Sequence, residues 1–577
     1  MNRTEIIKLK EANCKNCYRC IRHCPVKSIA FRNEQAEIIS KSCILCGQCL
    51  LECPQNAKYI NSERDTIQTC IARGEKLYVS LAPSFTAAFP GISVAQMSQA
   101  LKQLGFAHVE ETAIGAERVT REYEYLIEDG SMPNIIATAC PSTVLLIERH
   151  FPDLIPFLAP VVSPMVAHAR MMREIYGPRI KIVFIGPCIA KKHETIDPGN
   201  GSAVFAAMTF EQLADWFAEA QIDLSTCPED ESQRMIHNTL PRFYPVPGGI
   251  IRNLNQTTRR KYTCSVVDGV DRCQEILETL REGQLHHHFL ELNACAGSCL
   301  GGPALKSFKR GFLPSRQTIV DHVLQKPVHA APLTEGTKVR LDRTFHDLSD
   351  HSAQPDESQI REILIAMGKT SQEHELNCGT CGYPSCRDKA VAVAQGKANI
   401  HMCLPYFRER AESMSNLVIE NTPNAILVLD ENYRIREFNP AASRILKLQL
   451  AESVGQPVIT VLPGDCLELF NEDKHGTFNK VAYPDINLVV EQNLIPVADR
   501  SMFILILKDI TREERAREKS TKVRSETVDI AQSVILKQMR VAQEIASLLG
   551  ETTAETKVAL NQLKRSILYE MGDELDG

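Results

Sequence analysis

The sequence predicts a multidomain chain in which α/β and α+β units follow one another. Its 577 residues exceed what a single hydrophobic core accommodates. Short apolar runs alternate with amphipathic segments in the first half, which is typical of parallel strands with crossover helices. Its 21 cysteines cluster at spacings of two to four, which predicts metal ligation in a reducing compartment rather than a disulfide framework.

Charge and hydropathy exclude two classes of partner. The formal net charge is -6, and no lysine or arginine block marks a phosphate-backbone footprint, so we expect no nucleic acid partner. The N-terminus is polar, and the longest apolar run, residues 155–169, is short and interrupted by prolines. The sequence therefore predicts a cytoplasmic protein without membrane contact.

Residues 1–75 carry two runs of the pattern C-x2-C-x2-C-x3-C-P: Cys14, Cys17, Cys20 and Cys24, then Cys43, Cys46, Cys49 and Cys53. This pattern resembles the bacterial two-cluster ferredoxins, in which each [4Fe-4S] cluster takes three cysteines from one run and the last cysteine of the other. The resemblance assigns Cys14, Cys17, Cys20 and Cys53 to one cluster, and Cys43, Cys46, Cys49 and Cys24 to the other. Zinc is the alternative metal.

Residues 76–328 form the predicted α/β domain. Apolar runs at 76–83, 134–141, 180–188 and 288–295 predict parallel strands, and 94–106 predicts an amphipathic helix. Cys140, Cys188 and Cys295 come at the ends of such runs, where open α/β sheets bind their ligands. With Cys299, expected on the same side of one helical turn as Cys295, they would supply the four thiolates of one cubane. Structural zinc or inert buried thiols are the alternatives for Cys295 and Cys299.

The segments TACPS (138–142), GPCIAKKHE (186–194) and ELNACAGSCLGGP (291–303) resemble the [FeFe]-hydrogenases, over about residues 1–306. The resemblance implies an H-cluster, which is a [4Fe-4S] cubane joined to a diiron subcluster with carbon monoxide, cyanide and dithiolate ligands. It implies that Cys140, Cys188, Cys295 and Cys299 hold the cubane and that Cys299 bridges to the diiron unit. It further implies a hydrogen bond from Lys191 to a cyanide ligand, and a diiron pocket lined by Pro83, Ser84 and Pro164. A lysine three residues after a ligand can supply an unpaired cationic donor; a surface lysine is the alternative.

Several positions depart from the pattern of efficient hydrogenases. Ala139 replaces the cysteine that passes protons to the cofactor in TSCCP. Gly186 and Asn293 replace methionines, and Met165 replaces a glutamine. Glu122 is retained on the helix that continues the family's proton path. Because proton relays typically contribute ~10²–10⁴-fold, we expect slow turnover with hydrogen binding retained.

The second half predicts a loop-like linker over 329–373 and a module over 374–412 with Cys378, Cys381, Cys386 and Cys403. These cysteines resemble a small [4Fe-4S] module, the third accessory cluster, with zinc as the alternative. Residues 413–512 resemble a PAS domain, with paired strands around a DEN turn and a helix from NPAASRIL. The remaining cysteines are expected to be ordinary thiols: Cys70, Cys227, Cys264, Cys273 and Cys466.

Residues 513–577 predict a helical tail. The stripe Ile530, Val534, Val541, Ile545 and Leu548 ends at Gly550, and the capping box Thr552-x-x-Glu555 opens a second helix with Leu560, Leu563 and Ile567. Such helices join two subunits or dock on a partner. No histidine follows His475, which excludes a phosphoacceptor histidine in the tail.

The functional hypothesis is a sensory [FeFe]-hydrogenase of low turnover that interconverts dihydrogen with protons and electrons. It would relay redox state through its clusters to the PAS domain and to a downstream kinase or phosphatase, as a possible homodimer. One alternative is a catalytic subunit exchanging electrons with a ferredoxin or a nicotinamide-oxidising partner. The other is an iron-sulfur scaffold or assembly protein without the diiron unit.

Overall fold

The computed structural model describes residues 5–32, 35–230, 238–308, 310–324, 339–351, 354–449, 453–462, 479–497 and 502–549, and the isolated residues 558 and 562. Within these ranges the chain divides into two compact units, Met1–Phe407 and Arg408–Gly577. Cys466, His475 and the expected second tail helix lie outside the described residues. None of the described helices combines the length and apolarity needed to cross a membrane.

The first unit begins with two small antiparallel sheets. Strand β1 pairs with β4, and β2 pairs with β3. The short helices α1 and α2 each contain the third cysteine of a cysteine run, Cys20 and Cys49. The bounds are β1 (Ile7–Leu9), α1 (Arg19–Arg22), β2 (Ile29–Arg32), β3 (Gln35–Ile38), α2 (Gln48–Leu51), β4 (Lys58–Ile60) and α3 (Arg64–Ala72).

Two parallel sheets form the centre of this unit, as the apolar runs predict. One has the strand order β6-β5-β8-β9 and the other β10-β11-β7, and every pair in them is parallel. The strands are β5 (Leu77–Leu81), β6 (His108–Glu111), β7 (Asn134–Ile136), β8 (Lys181–Gly186), β9 (Ala206–Thr209), β10 (Thr263–Asp268) and β11 (His288–Asn293). Buried Val, Ile, Leu and Phe residues make up most of β5, β7, β8 and β11, which explains why these strands read as continuous apolar runs.

Helices cover both parallel sheets. The expected helix at 94–106 is α5, which begins at a capping box between Ser93 and Gln96. The helices are α4 (Phe85–Ala88), α5 (Val94–Gln103), α6 (Ala113–Asp129), α7 (Pro141–His150), α8 (Pro164–Tyr176), α9 (Lys191–Glu194), α10 (Phe210–Glu219), α11 (Gly249–Asn253), α12 (Gln256–Arg259), α13 (Val270–Arg281) and α14 (Phe312–Leu324). Proline at the first position of α7 and α8 suits a helix start, where no backbone donor is lost.

The segment expected to be a loop-like linker, 329–373, contains buried side chains and a helix. Within residues 339–351, Arg343 is buried beside Glu194, and the Leu348 amide donates to the Glu148 carbonyl. Helix α15 (Glu357–Ala366) packs on α16 (Cys386–Ala394) through Ile360 and Leu364. The segment is polar because most of its residues face water, while a few buried side chains fix it to its neighbours.

The second unit confirms the predicted antiparallel sheet and helix. Its five strands have the order β13-β12-β16-β15-β14, with Leu427, Val490 and Leu505 in its core. The elements from the unit boundary onward are α17 (Leu404–Asn421), β12 (Ala425–Leu429), β13 (Ile435–Phe438), α18 (Pro440–Leu446), β14 (Asn479–Tyr483), β15 (Leu488–Val497), β16 (Met502–Asp509) and α19 (Thr511–Leu549). On α19, the stripe residues Ile530, Val534 and Ile545 are all exposed.

Candidate functional site

One cavity lies where strands of both parallel sheets end. Cys140 follows β7, Cys188 follows β8, and Cys295 and Cys299 follow β11. All four line a cavity of about 110 Å³. The predicted convergence of these thiols therefore holds, and its cause is that parallel strands present their carboxyl ends on one side.

The turn between Cys295 and Cys299 differs from the expected helical turn. Gly297 and Ser298 both have left-handed backbone angles, with φ of 82° and 55°, and a 3₁₀ turn over Ser298–Gly301 follows. Glycine takes such angles without steric cost. The left-handed pair, rather than a continuous helix, brings both thiols to the cavity.

The cysteines of the cavity can be thiolates only beside a positively charged partner. Burial, and then the neighbouring Cys140 thiol, raise the pKa of Cys188 to about 11. Burial and the other cysteines raise the pKa of Cys295 well above its ordinary value. Four such groups can be thiolates together only where metal ions compensate their charge. This donor set therefore fits a [4Fe-4S] cubane.

Lys191 points into the cavity wall rather than to the surface. Its side chain is buried, and Nζ donates to Glu194 Oε2 at 2.6 Å and to the Ala139 carbonyl at 3.3 Å. Glu194 also accepts from Ser163 Oγ at 3.0 Å and lies 3.5 Å from Arg343 Nη1. The expectation of an unpaired cation was wrong, because this carboxylate offsets the cost of burying the ammonium.

Two hydroxyl groups in the cavity wall fit a polar bound group. Ser84 Oγ and Ser298 Oγ are buried, and neither has a hydrogen-bond partner within the part of the chain that the structure describes. Both residues line the cavity, together with Pro83 and Pro164. Buried hydroxyls are normally satisfied, so these two donors suit acceptors supplied by a ligand.

The departures from the efficient-hydrogenase pattern also lie at this cavity. Ala139, Met165 and Asn293 line it. A Cβ atom on Gly186 would come within 2.5 Å of the Phe184 ring, which is itself a lining residue. The Phe184 ring thus fills the space that a side chain at 186 would need.

The structure does not bring Glu122 to the cavity. It lies on α6 and pairs with Arg118 at 3.0 Å, one turn away along the helix. Its role in proton transfer stays a prediction.

Glu291 is a buried carboxyl group beside the cavity-lining residue Asn293 that sequence reasoning missed. It accepts from the backbone amides of Gly248, Ile250 and Ile251, and the Asn293 amide group approaches it at 3.4 Å. Burial raises its pKa to about 7, although these hydrogen bonds act in the opposite direction. A glutamate inside an otherwise apolar strand run was the signal that could have identified it.

Three further cysteine sets assemble in the first unit. Cys14, Cys17, Cys20 and Cys53 line a small cavity, and so do Cys378, Cys381, Cys386 and Cys403. Burial raises the pKa of Cys43, Cys46 and Cys49, and the nearby Cys24 thiol raises the pKa of each of them further. Cys53 thus lies with the first run and Cys24 with the second, which is the grouping expected from the ferredoxin pattern. The role of these cysteines as cluster ligands stays a prediction. Within the described ranges, no three His, Cys, Asp or Glu residues are grouped as ligands of a single metal ion.

The ferredoxin-like segment touches the cavity directly. Cys46 lines it, and a Cβ atom on Gly47 would lie 2.4 Å from Pro303 Cγ and 2.7 Å from Ile189 Cδ1. Gly47 therefore permits a close approach between the second cysteine run and the loop after Cys299.

The fold and the cysteine sets define an iron-sulfur protein built on a parallel α/β domain. Residues 75–303 match the family described as iron only hydrogenase large subunit, C-terminal domain. Residues 6–54 match a 4Fe-4S dicluster domain, 375–405 an Fe-S cluster family, and 414–476 the PAS fold. The chain thus contains a hydrogenase-type domain, accessory iron-sulfur segments and a PAS domain.

Relatives of two kinds are similar to this chain. The NADP-reducing hydrogenase subunit HndD of Solidesulfovibrio fructosivorans is 26% identical over 45% of this chain and 55% of its own length. The cytosolic Fe-S cluster assembly factor NAR1 of Yarrowia lipolytica is 22% identical over 37% of this chain and 50% of its own. This chain thus spans about half the length of each.

Among solved structures, a variant of the [FeFe]-hydrogenase HydA1 from Chlamydomonas reinhardtii is 17% identical, with a TM-score of 0.37. The match covers 47% of this chain and 91% of that one.

Proposed function

We propose that the chain is a sensory [FeFe]-hydrogenase, which binds dihydrogen at an H-cluster and passes on its redox state. The observation that carries this proposal is the single cavity that Lys191, two unpaired serine hydroxyls and four cysteines line together. A plain four-thiolate site needs no such additional donors. The match of residues 75–303 to the iron-only hydrogenase family supports the same assignment.

The chain's residues have distinct roles in this proposal. Cys140, Cys188, Cys295 and Cys299 line the cavity and would hold the cubane. Cys299 is the thiol that the resemblance to the hydrogenases assigns to the diiron unit. Lys191, Ser84 and Ser298 donate hydrogen bonds to polar ligands of that unit. Pro83, Pro164 and Met165 form an apolar part of the cavity wall and keep water out of the cavity. When bound there, the cluster would supply the chemistry of cleaving or forming dihydrogen.

Electrons leave through the accessory clusters. Cys46 belongs to the nearest cysteine set and also lines the cavity. The same set includes Cys24, which shares a core cluster with Tyr383 and Cys381 of the third module. The Phe31 amide donates to the Lys397 carbonyl at 3.0 Å, which fixes that module beside the ferredoxin-like segment. We infer that electrons from the cavity reach the cluster held by the Cys24 set first, and that the path divides there between the Cys14 set and the third module.

The residues of the cavity wall imply a low rate of hydrogen turnover. Ala139 carries no proton, so the nearest ordinary relay is missing. A receptor needs binding and a change of redox state rather than turnover, and the PAS domain supplies a signalling element. In this proposal the exposed face of α19 binds a second subunit or a partner such as a kinase or phosphatase.

The NAR1 relatives favour one second candidate, an assembly factor with cubanes and no diiron unit. Infrared spectroscopy of protein matured with the diiron cofactor separates the two. Bands of iron-bound carbon monoxide and cyanide are expected in the wild type and not in Cys299→Ala. Their absence from the wild type would leave the assembly factor as the better reading.

The sensory part has its own test. Hydrogen exchange across the PAS domain should differ between protein equilibrated with hydrogen and with argon. Cys386→Ser, which removes a ligand of the third module, should abolish the difference while leaving the infrared bands intact. Identical exchange under both gases in the wild type would instead point to a catalytic subunit with a redox partner.

A further inference from the structure

A series of buried polar side chains joined by hydrogen bonds, called the file below, begins at the cavity wall. Thr112 lines the cavity, and its Oγ1 lies 2.7 Å from Ser80 Oγ. Ser80 Oγ in turn lies 2.8 Å from Nδ1 of His168. Ser80 and His168 are completely buried, so neither exchanges hydrogen bonds with bulk water.

The file continues from the histidine to the protein surface. His168 Nε2 lies 3.2 Å from Oε2 of Glu110, and the other oxygen of Glu110 accepts from Tyr176 at 2.5 Å. His108 Nε2 lies 3.0 Å from the same oxygen, Oε1. The exposed fraction of the side chain rises from 1% at His168 and 2% at Glu110 to 19% at His108. The outer end of the file therefore reaches solvent.

Three regular elements hold these groups in line. Ser80 on β5 is the register partner of Glu110 on β6, so their side chains leave the sheet on the same face. His108 lies two residues before Glu110 and shares that face. Helix α8 starts at Pro164 in the cavity wall and carries His168 one turn later.

The hydroxyl groups and the imidazole can each give and receive a proton, and the Glu110 carboxylate can receive one. A hydroxyl group is one donor and an acceptor, and a neutral imidazole is a donor at one nitrogen and an acceptor at the other. A proton that enters Thr112 can thus displace one through Ser80 and His168 to Glu110. An apolar core would hold α8 on the sheet without the cost of burying an ionisable pair, so packing alone does not require these residues.

We propose that Thr112, Ser80, His168 and Glu110 form a proton path between the cavity and the surface at His108. This inference rests on the proposed function, because it supplies the proton exit that Ala139 does not. The path moves protons only: one enters at one end as another leaves at the other, and electrons travel separately through the clusters.

The first test breaks the path by removing hydroxyl groups. In protein loaded with the diiron cofactor, Ser80→Ala and Thr112→Val should each lower hydrogen evolution about tenfold or more. Thr112→Ser, which keeps the hydroxyl, should restore the rate. The matched control is Ser98→Ala, which removes another buried serine hydroxyl, bonded to Asp230 at 2.6 Å, and should leave the rate unchanged. Equal rates in all four variants would overturn the path.

The second test does not depend on activity. In protein lacking the diiron unit, with histidines labelled by ¹⁵N, the ring resonances of His168 are identified by their loss in His168→Gln. Ser80→Ala should shift the Nδ1 resonance, and Ser98→Ala should not. An unchanged Nδ1 resonance in Ser80→Ala would show that the hydrogen-bonded file does not exist in solution.

The two proposals fail in different ways. Missing carbon monoxide and cyanide bands after maturation would reject the hydrogenase function, and the ¹⁵N comparison would then decide alone whether the file exists. Normal bands with wild-type rates in Ser80→Ala and Thr112→Val would reject only the path.

Discussion

The Lys191 ammonium group is paired with the Glu194 carboxylate at 2.6 Å, three residues along the chain and beside the cavity. Arg343 and Ser163 share the same carboxylate. The cation at the cavity wall is therefore held in place by a buried network that involves three separate segments of the chain.

Glu194→Gln should destabilise the first unit. It leaves the buried Lys191 cation without its carboxylate, while Arg343 keeps its pair with Asp197 at 2.8 Å. Breaking a buried pair costs about 3–5 kcal/mol. The measurement is the midpoint of thermal unfolding of protein lacking the diiron unit. Asp153→Asn, which breaks the partly exposed pair with Arg281, should have a much smaller effect. Similar midpoints for the two variants would contradict the network.

Ala139→Cys should raise hydrogen evolution, by up to about a hundredfold if proton transfer limits the rate. Ala139 lines the cavity, so the added thiol would face it. The assay is hydrogen evolution from a reduced viologen dye. Ala139→Val adds volume without a proton carrier and should give no increase; an equal gain in both variants would show that proton transfer is not the cause.

Cys188→Ser should remove the iron of one cluster. Because a cubane contains four iron atoms, iron analysis of protein lacking the diiron unit should give about four fewer per chain. Cys273→Ala is the matched control, since Cys273 is a buried thiol outside all four cysteine sets and its loss should leave the iron content unchanged. Full iron content in Cys188→Ser would remove this thiol from the ligand set.

Glu291 should make stability depend on pH. Its pKa is about 7 in the folded protein, above the ordinary value of 4.5, so the folded state holds the proton more tightly than the unfolded state. This contribution is complete below the unfolded pKa and is lost as pH rises through the folded pKa, about 3 kcal/mol at most. Glu291→Gln should therefore flatten the decline of denaturation midpoints between about pH 4.5 and 7. Parallel declines in both proteins would rule this out.

Much of the architecture could be predicted because it depends on local patterns. Continuous apolar runs indicated β5, β7, β8 and β11, and the cysteine spacings indicated the three accessory sets. The positions of Cys140, Cys188 and Cys295 after strands then followed from the geometry of parallel sheets.

Interactions between distant segments could not be predicted in this way. Glu194 is three residues from Lys191, but its partner Arg343 comes from a segment that reads as a linker. Ser80, Glu110 and His168 lie on three different elements, and each alone is indistinguishable from an ordinary polar residue. The left-handed turn at Gly297 and Ser298 depends on backbone angles that a CxxxC spacing does not specify.

The close approach of Gly47 to Pro303 and Ile189 limits which ferredoxin-like segments could replace residues 1–75 of this chain. A ferredoxin segment from another protein, joined in place of residues 1–75, would have to present an equally small residue at that point. Any side chain there would force the loop that carries Cys299 outward. Electron-delivery modules in this architecture are therefore not freely interchangeable, and chimeras should be chosen first by the residue that follows the second cysteine of the second run.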